Sequence, residues 1–186
     1  MMKKILVIAA LALGALAGTA QDGTSQKGKL AAGLNIGYTP SLEKGMKVNN
    51  FGIAAKVQYG LTDALRSELT VGYDFKDKEI GLFNTAVNMH YLFNVGEKLK
   101  IYPIVGVGYA HISFGLWGDM MDAFDELGYY DEEEDGSLSK NKFLVNAGAG
   151  AELSLTERIS VGLEVKYQYM KDFSRLPINL GVTYKF

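Results

Sequence analysis

Read in steps of two, the chain from Lys29 to Phe186 separates into eight segments, each with one apolar face and one polar or small face. The last is the clearest. Ile178, Leu180, Val182, Tyr184 and Phe186 share a face, and Asn179, Gly181, Thr183 and Lys185 share the other. Ahead of it, the apolar faces are Leu30, Ala32, Leu34, Ile36 and Tyr38; then Phe51, Ile53, Ala55, Val57 and Tyr59; then Leu65, Leu69, Val71, Tyr73 and Phe75; then Phe83, Val87, Met89, Tyr91 and Phe93. Ile101, Val105, Val107 and Tyr109 follow, then Phe143, Val145, Ala147, Ala149 and Leu153, then Ile159, Val161, Leu163, Val165, Tyr167 and Tyr169. Each run has roughly the 9–11 residues that a tilted strand needs to cross a bilayer.

Alternation alone fits a soluble sandwich and a membrane barrel equally, because both bury one face of each strand. Aromatic placement separates them. Tyr38, Phe51, Tyr73, Phe75, Phe83, Tyr109, Phe143, Tyr167 and Tyr169 gather at one set of strand ends, and Tyr59, Tyr91, Phe93 and Phe186 at the other. Two aromatic girdles around an aliphatic band are the expected surface of a transmembrane barrel. Connections alternate as well. Gly60–Asp63, Asn94–Lys98 and Ser154–Arg158 are short, whereas Thr39–Asn50, Ile112–Asn141 and Met170–Leu176 are longer, with Lys76–Glu79 a short exception. The pattern predicts an all-β fold: an eight-stranded, antiparallel, up-and-down transmembrane β-barrel with both termini in the periplasm. Leu61-Thr62-Asp63 and Leu155-Thr156-Glu157 open two of the strands alike, which predicts repeated hairpins with hydroxyl-capped turns.

The N-terminus carries a different signal. Lys3 and Lys4 precede an apolar run from Ile5 to Leu16, and Gly18-Thr19-Ala20 supplies small residues for cleavage before Gln21, with Ala15-Leu16-Ala17 a second site. The run is too short for a spanning helix, which needs about 20 residues. The expected organisation is a signal peptide over 1–20 and a barrel domain over 21–186. There is no cysteine, which excludes disulfides, thiolate metal sites and lipidation at an N-terminal cysteine.

Tyr102-Pro103-Ile104-Val105-Gly106-Val107-Gly108-Tyr109 resembles the Y-P-x-x-G-x-G-x strand of the small porin-like outer-membrane β-barrel family. That family includes opacity-type proteins and is similar in build to the transmembrane domain of the major outer-membrane protein A. The resemblance implies a bacterial outer-membrane location, contact with membrane lipid and lipopolysaccharide, and recognition by the barrel assembly machinery through Phe186 and Tyr184. No tethering domain follows Phe186, so a peptidoglycan-binding role is not implied. An unknown extracellular ligand is expected at the loops, and no nucleic acid partner. Eight strands enclose only enough room for side chains, so the family's pore label is not carried over.

Candidate chemistry is sparse, and no catalytic, cofactor or metal residues are assigned. Lys56, Arg66, Glu68, Asp74, His90, Lys142, Glu152, Glu164, Lys166 and Lys185 face away from the apolar side. They would line a narrow channel or, because both signs are mixed, neutralise one another in a packed interior. His111 and Ser113 share a face near one rim. A lipid A deacylase family uses a similar histidine–serine pair with a glutamate, but its motif continues with asparagine where Phe114 stands here. Gly106/Gly108 and Gly148/Gly150 precede no helix, so they form no phosphate loop and mark places where bulky neighbours fill the barrel. Asp119 to Asp135 holds nine acids and no base, with Met120, Met121, Phe124 and Leu127 near helical spacing. Asp131 to Gly136 partly fits a calcium loop, with carboxylates at Asp131, Glu133 and Asp135, but Lys142 stands where a bidentate glutamate belongs. The function expected is a non-enzymatic structural or surface-interaction role through the outer loops. Narrow-lumen transport is the alternative, and lipid A modification a further one.

Overall fold

The computed structural model describes residues 25–40, 49–77, 80–114, 140–171 and 174–186. The leader expected over 1–20 and the acidic stretch at 119–135 lie outside them. Among the described residues nine strands are formed: β1 Leu30–Pro40, β2 Asn49–Gly60, β3 Leu65–Asp77, β4 Ile80–Tyr91, β5 Phe93–Val95, β6 Leu99–Phe114, β7 Lys140–Ser154, β8 Ile159–Met170 and β9 Ile178–Lys185. Each pairs antiparallel with its neighbours, and β1 pairs with β9, so the sheet closes.

β4 and β5 are one stave, which makes eight. The β4–β6 ladder reaches His90↔Ile104 and β5–β6 resumes at Phe93↔Ile101, three steps on along each strand, so the register is unbroken. Between them stands Pro103, which has no N–H to give the ladder. The Leu92 amide there bonds Ala64 O on the other side at 2.7 Å. The stem of β6 and β7 is longer than the alternation suggested: His111↔Asn141 and Ile112↔Lys140 are paired, although Asn141, Ile112 and Lys140 fall in the stretch read as loop.

The outer surface follows the expected alternation. Leu34, Ile36, Phe51, Ile53, Val105 and Phe143 are all more than half exposed, as suits side chains that meet lipid. Leu30 is the exception at its strand end, only 7% exposed beside Val57 and Tyr59. The girdle aromatics are exposed and pair with one another, Tyr38 with Phe51 at one rim and Tyr91 with Phe93 at the other. The two sequence-alike turns are built alike. Thr62 Oγ1 accepts the Ala64 and Leu65 amides, and Thr156 Oγ1 accepts those of Arg158 and Ile159.

The interior is organised by a pairing that only the register reveals. Lys56, Arg66, Asp74, Glu152, Glu164 and Lys166 each stand directly across from a glycine on an adjoining strand: Gly33, Gly60, Gly52, Gly162, Gly150 and Gly148 respectively. The amides repeat it, with Asn35 opposite Gly181, Asn179 opposite Gly37, Asn84 opposite Gly72 and Asn88 opposite Gly106. Inward neighbours in a narrow barrel stand only about 5 Å apart, so a long polar side chain must lean over the next strand. At Gly33, Gly52 and Gly148, and at the four glycines that face amides, a Cβ would crowd the facing side chain, and glycine leaves it the space. A Cβ on Gly150 would lie 2.5 Å from the Tyr102 ring, and one on Gly181 1.9 Å from Asn35 Oδ1.

One part of the interior departs from the polar expectation. Leu82, Ala86, Ala110, Ile112, Leu144 and Met170 form a buried apolar cluster on β4, β6, β7 and β8, at the end away from the Thr62 and Thr156 turns. A smaller cluster of Leu92, Tyr102 and Ile104 lies toward those turns. All of these sit at the inward phase of their strands.

Candidate functional site: a filled lumen

The lumen is stacked in layers along the strand axes. Nearest the Thr62 and Thr156 turns, Arg66 donates from Nη1 to Glu152 Oε2 at 2.6 Å, and Lys185 Nζ lies 3.0 Å from Glu152 Oε1 and 3.1 Å from Ser154 Oγ. Tyr102 fills the centre of this layer. Its ring stacks on His90 at 4.8 Å, and the Arg66 guanidinium lies over it at 4.9 Å. His90 Nδ1 accepts from Arg66 Nε at 3.3 Å.

The middle layer holds two carboxylates and two ammonium groups. Glu164 accepts from Lys166 at 3.0 Å, from Lys56 at 3.4 Å and from the Tyr102 hydroxyl at 3.2 Å. Glu68 takes Gln58 Nε2 at 2.7 Å and Thr70 Oγ1 at 3.0 Å, with Lys56 Nζ at 4.0 Å. All of these side chains are nearly water-free: Glu68 and Glu164 are 1% exposed and Lys56 and Lys166 4%. Taking an ion out of water costs several kcal/mol, and only a paired, hydrogen-bonded geometry offsets that. The mixed signs that the sequence placed inside do pair with one another.

Beyond this layer lies a small chamber lined by Asn35, Thr70, Asn84, Asn88, Asn146 and Gln168. It offers about 30 Å³ of space to water, enough for roughly two molecules. Both side-chain atoms of Asn35 and the Oδ1 of Asn146 are buried without a protein partner, and both residues border this chamber. Arg175 and Asp74, bonded through the Arg175 Nη1 and the Asp74 Oδ2, line it on the far side from the turns. Arg175 also donates to Gln168 Oε1 at 2.7 Å, and its backbone bridges Gln168. Arg175 carries no role in the alternation, since it lies in the Met170–Leu176 connection. Tyr102 was also missed as an interior residue, although its phase relative to Val105 and Val107 points it inward.

The histidine–serine pair is resolved only in part. His111 lies at the rim with its Nδ1 2.7 Å from Asn141 Oδ1 across the β6–β7 pair. Ser113 is paired with Gly81 in the backbone, and its side chain lies outside the description. Among the described residues no carboxylate forms an ion pair with His111. Neither do the described residues contain a group of three or more metal-ligating side chains.

A lumen filled with ion-paired side chains inside a barrel whose outer face is apolar defines a class, the small outer-membrane barrels. The chain belongs to the outer membrane protein beta-barrel domain family, whose model matches residues 8–186. No curated protein matches it. Among solved structures, neisserial surface protein A is similar with a TM-score of 0.66 and 13% identity, covering 84% of this chain and 97% of its own. Ail, the attachment invasion locus protein of Yersinia pestis, aligns with a TM-score of 0.58 and 17% identity, covering 86% and 99%. OprG from Pseudomonas aeruginosa aligns at 0.60 and 12%, covering 89% and 99%. At such identities the likeness shows the fold.

Proposed function

We propose that this chain is a non-enzymatic surface protein of the bacterial outer membrane, with a structural or binding role exerted through its outer loops. The filled lumen carries the reading. Three ionic groupings and the Tyr102 stack occupy the interior, and a barrel of eight staves has little room besides. What remains for recognition are the loops held on a rigid scaffold.

On this reading residues 1–20 are removed on export and both termini lie in the periplasm. Tyr184 and Phe186 present the aromatic end that the assembly machinery takes up. Membrane lipid and lipopolysaccharide surround the barrel. Ail has been crystallised with sucrose octasulfate, a heparin analogue. A sulfated partner would be repelled by the nine acids and no bases of 119–135 here, so cations or a cationic partner fit this loop better.

Two measurements test this. Intact cells displaying the native chain, compared with cells displaying a 119–135 deletion, should differ in binding of cationic ligands. Purified protein in a planar bilayer should show no steady ion conductance. A reproducible conductance altered by substitutions at Arg66 or Glu164 would favour narrow-lumen transport instead. Binding that survives the deletion unchanged would remove the loop from the account.

A further inference from the structure

The lumen's charges do not cancel evenly along its length. In the middle layer Lys56 and Lys166 face Glu68 and Glu164, two against two, and farther out Arg175 faces Asp74. At the mouth beside the Thr62 and Thr156 turns the balance fails. Among the described residues at the inward phase there, Lys29, Arg66, Lys100 and Lys185 converge, and Glu152 is the one carboxylate with them. That leaves an excess of three positive charges.

Their placement is fixed by backbone. Lys185 on β9 pairs with Ala31, Lys100 on β6 pairs with Glu152, and Lys29 accepts the Gly60 amide at 2.9 Å. Lys29, directly before β1, and Lys100 and Lys185 on their strands are half-buried at the inward phase. Glu152 is already taken by Arg66 and Lys185. Among the described residues Lys29 and Lys100 form no ion pair, and Lys100 lies within electrostatic reach of Lys185, Glu152, Arg66 and Lys29 at once. Ammonium groups held together in a part-buried mouth repel one another until an anion enters, and lysines on fixed backbone are good point-charge ligands for phosphate oxygens.

We propose that this mouth is a docking site for a phosphate-type oxyanion, held between Lys29, Lys100 and Lys185. The anion is either free phosphate or the phosphodiester of an anionic phospholipid headgroup reaching over the rim. The site is separate from the outer loops and does not depend on what they bind.

The test uses the full barrel with its lysines reductively methylated with carbon-13, each signal assigned by a single Lys→Gln change. In zwitterionic detergent, inorganic phosphate should move the Lys29, Lys100 and Lys185 signals saturably. Half-saturation should come at a concentration at least tenfold below that for chloride at matched ionic strength. The double variant K29Q/K100Q, which removes no ion pair seen in the structure, should abolish saturation at Lys185 while the protein keeps its folded migration in unboiled gels. A parallel measurement in nanodiscs compares phosphatidylcholine alone with added phosphatidylglycerol. Saturation by free phosphate assigns the site to a soluble anion. A response to phosphatidylglycerol alone assigns it to the headgroup. Equal, non-saturating responses to phosphate and chloride, together with no response to phosphatidylglycerol, would overturn the proposal.

Discussion

Gly150→Ala and Gly162→Ala add the same methyl group to adjacent positions under the same aromatic ring, yet the structure assigns them opposite consequences. A Cβ on Gly150 would lie 2.5 Å from Tyr102 Cε2, 2.6 Å from Cζ and 2.8 Å from the hydroxyl. The ring cannot yield easily, since His90 stacks on it and Arg66 caps it. Moving it would also break the 3.2 Å bond from its hydroxyl to Glu164. Overpacking costs about 1–3 kcal/mol, and a hydrogen bond to a charged group contributes about 1.5–3 kcal/mol. Against these stands a gain of about 0.4–1 kcal/mol from the less flexible unfolded chain. The expected net loss for Gly150→Ala is therefore about 2–4 kcal/mol. At Gly162 the nearest atoms to a new Cβ are Ala151 O at 3.4 Å and the Tyr102 hydroxyl at 3.8 Å, ordinary contacts. That substitution should be neutral or stabilising by up to about 1 kcal/mol. Urea unfolding in lipid vesicles, followed by the fraction that keeps folded migration in unboiled gels, reads both. Equal midpoints for the two variants would refute the claim that Tyr102 fills the space over Gly150.

Arg66→Met should destabilise the barrel by about 3 kcal/mol, the low end for a broken buried pair because Lys185 still holds Glu152. The double variant Arg66→Met, Glu152→Gln should recover much of that loss in the same assay, and wild-type stability in the single variant would sink the argument. Asp63 accepts from Ser25 Oγ at 2.6 Å and from the Gln26 and Lys27 amides, which hold its carboxyl below the ordinary range. A depressed carboxyl contributes above its unfolded value and stops contributing as pH falls through its folded one, so Asp63→Asn should free the arm at neutral pH as strong acid does in the parent. Trypsin cleavage at Lys27 measures it, and equal rates in parent and variant at pH 7 would count against the clamp. For the acidic stretch, the sequence predicts that millimolar calcium slows proteolysis between Asp119 and Lys140, and that amides at Asp131, Glu133 and Asp135 remove the effect. Equal cleavage with calcium and with chelator would leave the loop unliganded.

The inward and outward assignment of side chains was legible because a strand has only two faces and lipid demands that one be apolar. Lys56, Arg66, Glu68, Asp74, Glu152, Glu164, Lys166 and Lys185 were placed inside on that ground, and they are inside. Their partners were not legible. Arg66 and Glu152 are 86 residues apart and meet across the lumen between β3 and β7, a contact that closure and tilt create and local pattern does not contain. The cluster around Leu82 and Leu144 was missed for another reason. Near the end away from the Thr62 and Thr156 turns both faces of β4 and β7 carry apolar residues, so alternation fades where the interior becomes dry. Arg175 escaped because it sits among loop residues and enters the barrel by a single bridge to Gln168.

The glycines supply what hydrophobic alternation cannot. A slip of one residue would turn every side chain to the wrong face, so lipid and lumen already forbid it. A slip of two keeps every face correct, and alternation does not oppose it. The glycine pairs do. In the observed register Lys56 faces Gly33, and a two-residue slip of β1 against β2 would set it against Ala31 or Asn35 instead. Asp74 faces Gly52, where a Cβ would run into its Oδ1, and the same slip of β2 against β3 would set it against Asn50 or Ala54. A charged side chain that needs its neighbour's missing Cβ makes the in-phase alternatives costly, one strand pair after another around the barrel. The same residues that fill the lumen therefore also select the register, and a chain with their alternation but with its glycines moved by two positions would not be held to this one.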